Sequence, residues 1–282
     1  MRALILGAGG MLGHDLVRSA PREVELHPLA RADLDITDTA ALAARVSALK
    51  PHVILNAVAY TAVDRAETER ERSYRVNALA VGELGRIAAE ASARVVHFST
   101  DYVFNGRASQ PYREDSPTDP VNAYGASKLA GEEALAKSGA DWLTVRTQWL
   151  FGVHGKSFPK TMWDRARAGL ETRVVSDQTG RPTHSYDLAV AIWELIRRGA
   201  CGVLHVANAG QATWFDVATH VFSRARRPDL LTACSTADFP TPARRPRYSV
   251  LDTTRLEEQL GRGLPSWRQA VDQFLEQLPD RT

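Results

Sequence analysis

Tyr124 and Lys128 stand four residues apart in the segment Asn122-Ala-Tyr124-Gly-Ala-Ser-Lys128, with Ser99-Thr100 upstream of them. On a helix, residues at i and i+4 share one face. Such a pair suits proton transfer. A free tyrosine titrates at about 10, and a neighbouring ammonium stabilises the tyrosinate, bringing the phenol toward the working range of a general acid. Each pH unit so gained corresponds to about 1.4 kcal/mol. The Thr100 hydroxyl could hold a carbonyl oxygen by a hydrogen bond while charge develops on it. Tyr124, Lys128 and Thr100 are therefore the candidate catalytic residues. Taken alone, the spacing also fits a surface helix with a snorkelling lysine. The apolar run Arg94–Thr100 before it, and a glycine turn at the N-terminus, favour the chemical reading.

That glycine turn follows Ala3-Leu-Ile-Leu6, a continuous apolar run of the kind a strand covered on both faces requires. The run enters Gly7-Ala-Gly-Gly10-Met-Leu-Gly13 and then a helical pattern from Asp15. Strand, glycine turn and helix are the context of a dinucleotide site, a glycine-rich helix start without ligand being the competing reading. Gly7 permits the tight turn, Gly10 lets backbone approach a pyrophosphate, and Gly13 allows close helix–strand packing. The helix N-terminus offers free N–H groups to the phosphates. A second strand, Val24–Leu29, carries no acid at its tip and is followed by Arg31. An acid there would bind the ribose diol of NAD, whereas an arginine can receive the 2′-phosphate of NADP. Arg31 as a solvated loop residue is the competing reading. Asp35-Ile36 is placed to accept from an adenine amino group and cover its face, and Asp38 to cap a helix over Thr39–Leu49. The strand Pro51–Asn56 leads into Ala57-Val-Ala59-Tyr60-Thr61-Ala-Val63-Asp64, where small residues let backbone approach ribose and nicotinamide. A helix over Glu67–Ala91 carries Asn77, a candidate for hydrogen bonding near the site.

The alternation continues through Arg94–Thr100, a helix from Tyr124, and the strand Trp142–Thr147. Repeated βα units imply an α/β fold, a Rossmann-like doubly wound parallel sheet with ligands at the strand C-terminal ends. Residues between Asp101 and Tyr124 form a loop dense in turn formers, read either as a substrate lid or as a surface connection. After Phe151-Gly152 the strict alternation breaks. Helices are expected over Ser157–Leu170, Asp187–Arg197 and Trp214–Arg224, with strands near Arg173 and over Gly202–Ala207. The expected organisation is an NADP-binding domain over 1–151, with returns from roughly 184–210, and a smaller interleaved C-terminal substrate-binding lobe over 152–282. Pro240–Tyr248, basic and proline-stiffened, reads as a diphosphate clamp or as a solvated loop.

Composition sets the bounds. In 282 residues, Lys+Arg 35 against Asp+Glu 33 leaves +2, which gives no argument for nucleic acid as a partner. Two cysteines, Cys201 and Cys234, make no disulfide framework, and a reducing compartment is the simpler reading. No apolar run approaches the roughly 18 residues of a membrane span, and the chain opens on a strand rather than a signal peptide. A cytoplasmic protein is expected, with no membrane partner.

These segments resemble the extended short-chain dehydrogenase/reductase superfamily and, within it, the family of the dTDP-4-dehydrorhamnose reductases. The likeness runs through Gly7–Gly13, Leu34–Asp38, Asn56–Asp64, Arg75–Ala80, Phe98-Ser-Thr-Asp-Tyr-Val-Phe104, Tyr124–Glu132, Arg146–Gly152, Ser176–Thr183 and Arg245–Asp252, nearly the whole chain. It implies NADPH (with NADH open) as cofactor and reduction of the C4 ketone of a dTDP-4-keto-6-deoxy sugar. Tyr124 would donate the proton, Lys128 would lower its pKa and bind the nicotinamide ribose, and Thr100 would hold the reacting oxygen. Met11-Leu12, Asp35-Ile36 and Ala59-Tyr60-Thr61 match cofactor contacts. Val63, Asp101 and Trp149 match positions at the sugar, and Arg245 lies in the diphosphate segment. Some members need magnesium at a dimer contact; its ligands do not map here, so no metal site is expected, and a homodimer stays open. Sugar 4,6-dehydratases of similar architecture carry Thr-Asp-Glu where this chain has Thr100-Asp101-Tyr102, which argues against dehydration. A nucleotide-sugar epimerase, or a non-catalytic NADP-binding regulatory subunit, are the rival readings.

Overall fold

In the computed structural model, which describes residues 1–278, the apolar runs form the strands β1 (Arg2–Leu6), β2 (Glu25–Leu29), β3 (Val53–Asn56), β4 (Arg94–Thr100), β5 (Trp142–Thr147) and β6 (Gly202–His205). All pair in parallel, in the spatial order β6-β5-β4-β3-β1-β2. The order reverses at β1, so a crevice opens beyond the C-terminal ends of β1 and β3, the switch point where such sheets bind ligands.

Burial explains the uninterrupted apolar strands. Leu4, Leu6, Ile54 and Val95 face one layer, with Leu42 of α2 (Thr39–Leu49), Leu84 of α4 (Ala80–Glu90) and Leu135 of α5 (Ala123–Ala136). Ala3, Ile5, Leu55 and Val96 face the other, with Leu16 of α1 (Met11–Arg18) and Leu188 and Ile192 of α7 (Ser185–Arg197). The cap of α2 is as expected, with the Asp38 carboxylate accepting from Ala41 N at 3.0 Å. The helix expected over Glu67–Ala91 is not continuous. It divides into α3 (Arg70–Tyr74), a π turn over Arg75–Leu79, and α4. The wide turn lets Asn77 reach inward, and such turns recur at functional sites.

A second core lies outside the sheet. Phe151, Met162 of α6 (Phe158–Arg167), Val217 and Phe222 of α8 (Trp214–Arg224), and Trp267 and Phe274 of α10 (Trp267–Glu276) pack together. Between its segments, α7 packs on α1 and β6 pairs with β5. Leu256 and Leu260 of α9 (Thr254–Leu260) and Leu264 also join the main core, a further return that linear patterning does not indicate. The loop after β4 is an anchored strap. Val103, Phe104, Tyr112 and Leu251 form a buried cluster, and Tyr112 N donates to Val250 O at 2.8 Å while Asp252 N donates to Tyr112 O at 2.7 Å. Those bonds tie it to the C-terminal segment and argue against a hinged lid. No helix of the described residues is long and apolar enough to cross a membrane.

Candidate active site

A cleft of about 810 Å³ opens at the C-terminal ends of β1, β3, β4 and β5. Its size suits a ligand with several rings. Gly10, Met11 and Leu12 line it from the start of α1. Gly10 occupies the N-cap without a side-chain bond, so the first N–H groups of the helix stay available to an anion. Gly7 and Gly13 build this turn from beneath. Gly7 has φ +81, which favours glycine. A Cβ at Gly13 would collide with Gly7 O and would lie 2.7 Å from Ala8 Cα. The free N–H groups that this turn presents at the start of α1 fit a dinucleotide pyrophosphate. Ala57, Ala59, Thr61 and Val63 line the same cleft from the segment after β3. That segment is held by Asn77, whose Oδ1 accepts from Tyr60 N at 2.8 Å and whose Nδ2 donates to Tyr60 O at 3.0 Å and to Ser127 Oγ at 2.9 Å.

Thr100, Asp101 and Tyr102 leave β4 into the cleft, and Tyr124 and Lys128 enter it from α5. The Asn122 side chain starts α5 by accepting from Gly125 N at 2.8 Å, and Gly125 lies against Tyr102 O where no Cβ fits. The Tyr102 and Tyr124 rings meet edge to face, with centroids 5.9 Å apart. Burial pushes the Tyr124 phenol up to about 12, the Thr100 hydroxyl opposing it and the Asp101 carboxylate adding to it. Burial likewise raises Asp101 to about 7, with the Ser249 and Thr100 hydroxyls opposing it. Its Oδ1 accepts from Thr100 Oγ1 at 3.1 Å, and its buried Oδ2 has no partner. Lys128 is brought down to about 8 by burial, with Glu132 opposing. Its Nζ donates to Phe98 O at 2.6 Å and meets His97 Nε2 at 3.2 Å. The expected lowering of the tyrosine by the lysine is thus not what the structure displays. The lysine nitrogen is drawn to β4, and desolvation dominates the phenol.

Other expectations are corrected by packing. Ile36 is 2% exposed inside the main core, so its side chain covers no ligand face. Asp35 Oδ1 accepts from Thr37 N and Thr37 Oγ1 at 2.9 and 2.8 Å, which occupies that oxygen in a local turn. Arg31 is exposed beyond β2, 3.9 Å from Asp35, at the cofactor end of the sheet but outside the cleft wall. Tyr60 turns its ring away from the cleft, under the Arg72 guanidinium at 5.7 Å, and only its backbone belongs to the site segment. Arg245 does not line the cleft. It pairs with Asp64 at 3.0 Å, and Ala243 N donates to the same carboxylate at 3.1 Å, so this basic segment is stapled to the loop after β3. Trp149 lines the cleft, but Trp214 stacks on its ring at 3.6 Å, and a Cβ at Gly180 would lie 2.6 Å from its Cε2. With φ +49, Trp149 sits where side chains are uncommon.

Sequence reasoning missed several residues of the cleft wall. Tyr102, at the position read only as a missing glutamate, reaches the cleft, as do Trp214, His154 and Lys156 from the second core and its leading loop. His14, one turn into α1, stacks on His154 with centroids 4.3 Å apart. No local spacing announces these residues, because they come together only when the second core docks on the sheet. Among the described residues no cluster of three or more His, Cys, Asp or Glu is arranged to hold a metal.

The comparisons agree with this architecture. The family model described as RmlD substrate binding domain matches residues 1–279. A protein of Burkholderia thailandensis named dTDP-4-dehydrorhamnose reductase is 41% identical over 96% of this chain and 97% of its own length. A protein of Streptomyces antibioticus named as a probable dTDP-4,6-dihydroxy-2-methyloxan-3-one 4-ketoreductase is 42% identical over 96% of this chain and 93% of its own. Among solved structures, dTDP-4-dehydrorhamnose reductase from Bacillus anthracis, in complex with NADP, superposes with a TM-score of 0.94 at 36% identity, covering 98% of this chain and 99% of that one. Matched over nearly its whole length by the family model and by these relatives, the chain belongs to the RmlD substrate binding domain family.

Proposed function

We propose that this protein reduces the C4 ketone of dTDP-4-dehydro-β-L-rhamnose to the alcohol with NADPH, completing dTDP-L-rhamnose synthesis. The observation that carries the reading is the convergence of Thr100, Tyr124 and Lys128 on the cleft that the glycine turn opens into. NADPH, when bound, supplies the hydride. The cradle of Gly7, Gly10 and Gly13 would hold its pyrophosphate, and exposed Arg31 is free to turn toward a 2′-phosphate. The residues up to 151, with the returns, would bind the cofactor, and the second core would bind the sugar nucleotide.

At the reacting carbon, the Thr100 hydroxyl would turn its hydrogen from Asp101 to the ketone oxygen. Tyr124, held protonated by its burial, is loaded to give up its proton as charge develops on that oxygen. Lys128, one turn away, supplies positive charge that favours the departing proton when it is an ammonium. Val63, Asp101 and Trp149 would position the sugar. Arg245 acts through Asp64, ordering the loop that carries Val63. The Streptomyces relative, named for a different keto sugar at the same level of identity, keeps reduction of another dTDP-linked ketone as the second reading.

The test is NADPH oxidation by the wild type and by Tyr124→Phe with the 4-keto-rhamnose nucleotide generated in the cuvette. Oxidation by the wild type, lost in the variant while NADPH binding persists, is the expected outcome. Binding of NADPH with no oxidation by any keto sugar would refute the reductase reading and leave an epimerase or a regulatory subunit.

A further inference from the structure

Lys128 is 1% exposed, and the polar groups that surround its nitrogen are as buried as it is. Asn56 and His97 are neighbours in register on β3 and β4, both 0% exposed. Asn56 Nδ2 meets His97 Nδ1 at 3.2 Å, while Asn56 Oδ1 accepts from Val58 N at 3.2 Å. The two bonds together settle the amide. Its oxygen is taken by a backbone N–H, so its NH₂ is the group offered to the imidazole, and His97 Nδ1 must accept. A neutral imidazole carries one hydrogen, which therefore sits on Nε2. Burial holds His97 well below its ordinary range, which excludes the doubly protonated ring. His97 Nε2 lies 3.2 Å from Lys128 Nζ. Two donors cannot face each other at that distance, so with this tautomer the amine is uncharged, presenting its lone pair while giving a hydrogen to Phe98 O, the state reached above its value of about 8.

We propose that His97 is a positioning residue for Lys128: Asn56 holds its imidazole in the Nε2–H form, that N–H faces the lysine nitrogen, and the charge of the lysine is thereby coupled to Val58 in the segment lining the cofactor side of the cleft. When the pair takes up one proton on Nζ, the imidazole must carry its hydrogen on Nδ1 instead. Asn56 then has to turn its oxygen toward His97, and Val58 N–H loses its acceptor. The chain of bonds ends at the Val58 backbone N–H, so it offers no exit route for a proton.

Other groups near Lys128 do not take over this role. On α5 they are Tyr124 one turn before and Glu132 one turn after, the latter paired with Arg146 of β5 at 2.7 Å. The turn after β4 contributes Asp101 and Tyr102, and from the helices packed on α5 Ser73 and Asn77 bring only neutral groups to Ser127.

The coupling to activity rests on the reductase reading, whereas the tautomer does not. The experiment is ¹⁵N NMR of histidine-labelled protein at a pH about one unit above the lysine's value of about 8, where the amine is uncharged, with the His97 signals assigned by their loss in His97→Gln. A protonated Nε2 and an unprotonated Nδ1 are expected. A predominant Nδ1–H form, or an imidazolium, would overturn the proposal whatever the enzyme reduces. Asn56→Asp, whose carboxylate accepts from Nδ1–H, should reverse the tautomer. If the variant folds, the high-pH limb of kcat/KM for NADPH oxidation should move up by about one pH unit, because the lysine then faces an acceptor. A reversed tautomer with an unmoved limb would refute the coupling to lysine charge.

Discussion

Replacing Glu132 by Gln removes one half of an ion pair that the fold has taken out of water. Arg146 and Glu132 are 4% and 5% exposed. Arg146 Nε reaches both Glu132 oxygens, at 3.1 and 3.2 Å, and Nη2 reaches Oε2 at 2.7 Å. The remaining face of the guanidinium lies 5.2 Å over the Phe104 ring, and Nη1 donates to Glu114 O at 3.3 Å. Removing one partner of such a pair strands a buried charge, at about 3–5 kcal/mol. The glutamine oxygen retains one hydrogen bond, worth about 1 kcal/mol. The expected loss is therefore about 2–4 kcal/mol, a large share of the roughly 5–15 kcal/mol that holds a folded domain. Reversible urea unfolding followed by circular dichroism measures it as a fall in midpoint at unchanged slope. The double variant Glu132→Leu with Arg146→Met, which leaves no charge behind, should recover most of the loss. A loss in Glu132→Gln below about 1 kcal/mol, the range of an exposed pair, would refute this account of the burial. So would a double variant no more stable than the single one. Glu132 also opposes the lowering of Lys128, so in Glu132→Gln the high-pH limb of activity should shift to lower pH.

Asp101 makes stability depend on pH in the opposite sense to a paired carboxylate. Its folded value of about 7 stands above the ordinary 3.8, so the native state holds a proton that the unfolded chain releases. Stability from this group is complete below pH 3.8 and declines as pH rises to about 7, by up to about 4 kcal/mol. Urea midpoints across that window should fall more steeply for the wild type than for Asp101→Asn, and parallel slopes would show that the carboxyl ionises normally. Gly13→Ala forces a methyl group against Gly7 O and Ala8, so NADPH affinity by fluorescence titration should drop at least tenfold, about 1.4 kcal/mol. Unchanged affinity would mean that the turn relaxes without moving the phosphate cradle.

Much of the main sheet was readable in the chain itself. Arg94–Thr100 and Trp142–Thr147 are strands over the expected bounds, and Thr39–Leu49 and Trp214–Arg224 are helices over theirs. Such segments are governed by local rules: continuous apolar runs, capping side chains and helical periodicity. The break within Glu67–Ala91 was not readable, because the π turn at Asn77 answers to Tyr60 and Ser127, residues far away in sequence. Ile36 and Arg245 show the same limit. Their types suggested ligands, yet one is core and the other is consumed by Asp64.

By itself, then, the sequence determined the strand–glycine–helix cradle and the placing of Tyr124 and Lys128 on one helical face, since both depend on spacing over a few residues. It also determined the end of the sheet at which the site opens, because parallel βα units direct every strand terminus to one edge. Only the tertiary structure decided the electrical state of that site. Whether Tyr124 is raised or lowered, which atoms Lys128 addresses, and whether Arg146 is stranded or paired depend on distances of a few ångströms between β4, β5 and α5. Those distances are set by packing across the sheet, and desolvation there outweighs the pairwise attraction that residue types alone suggest.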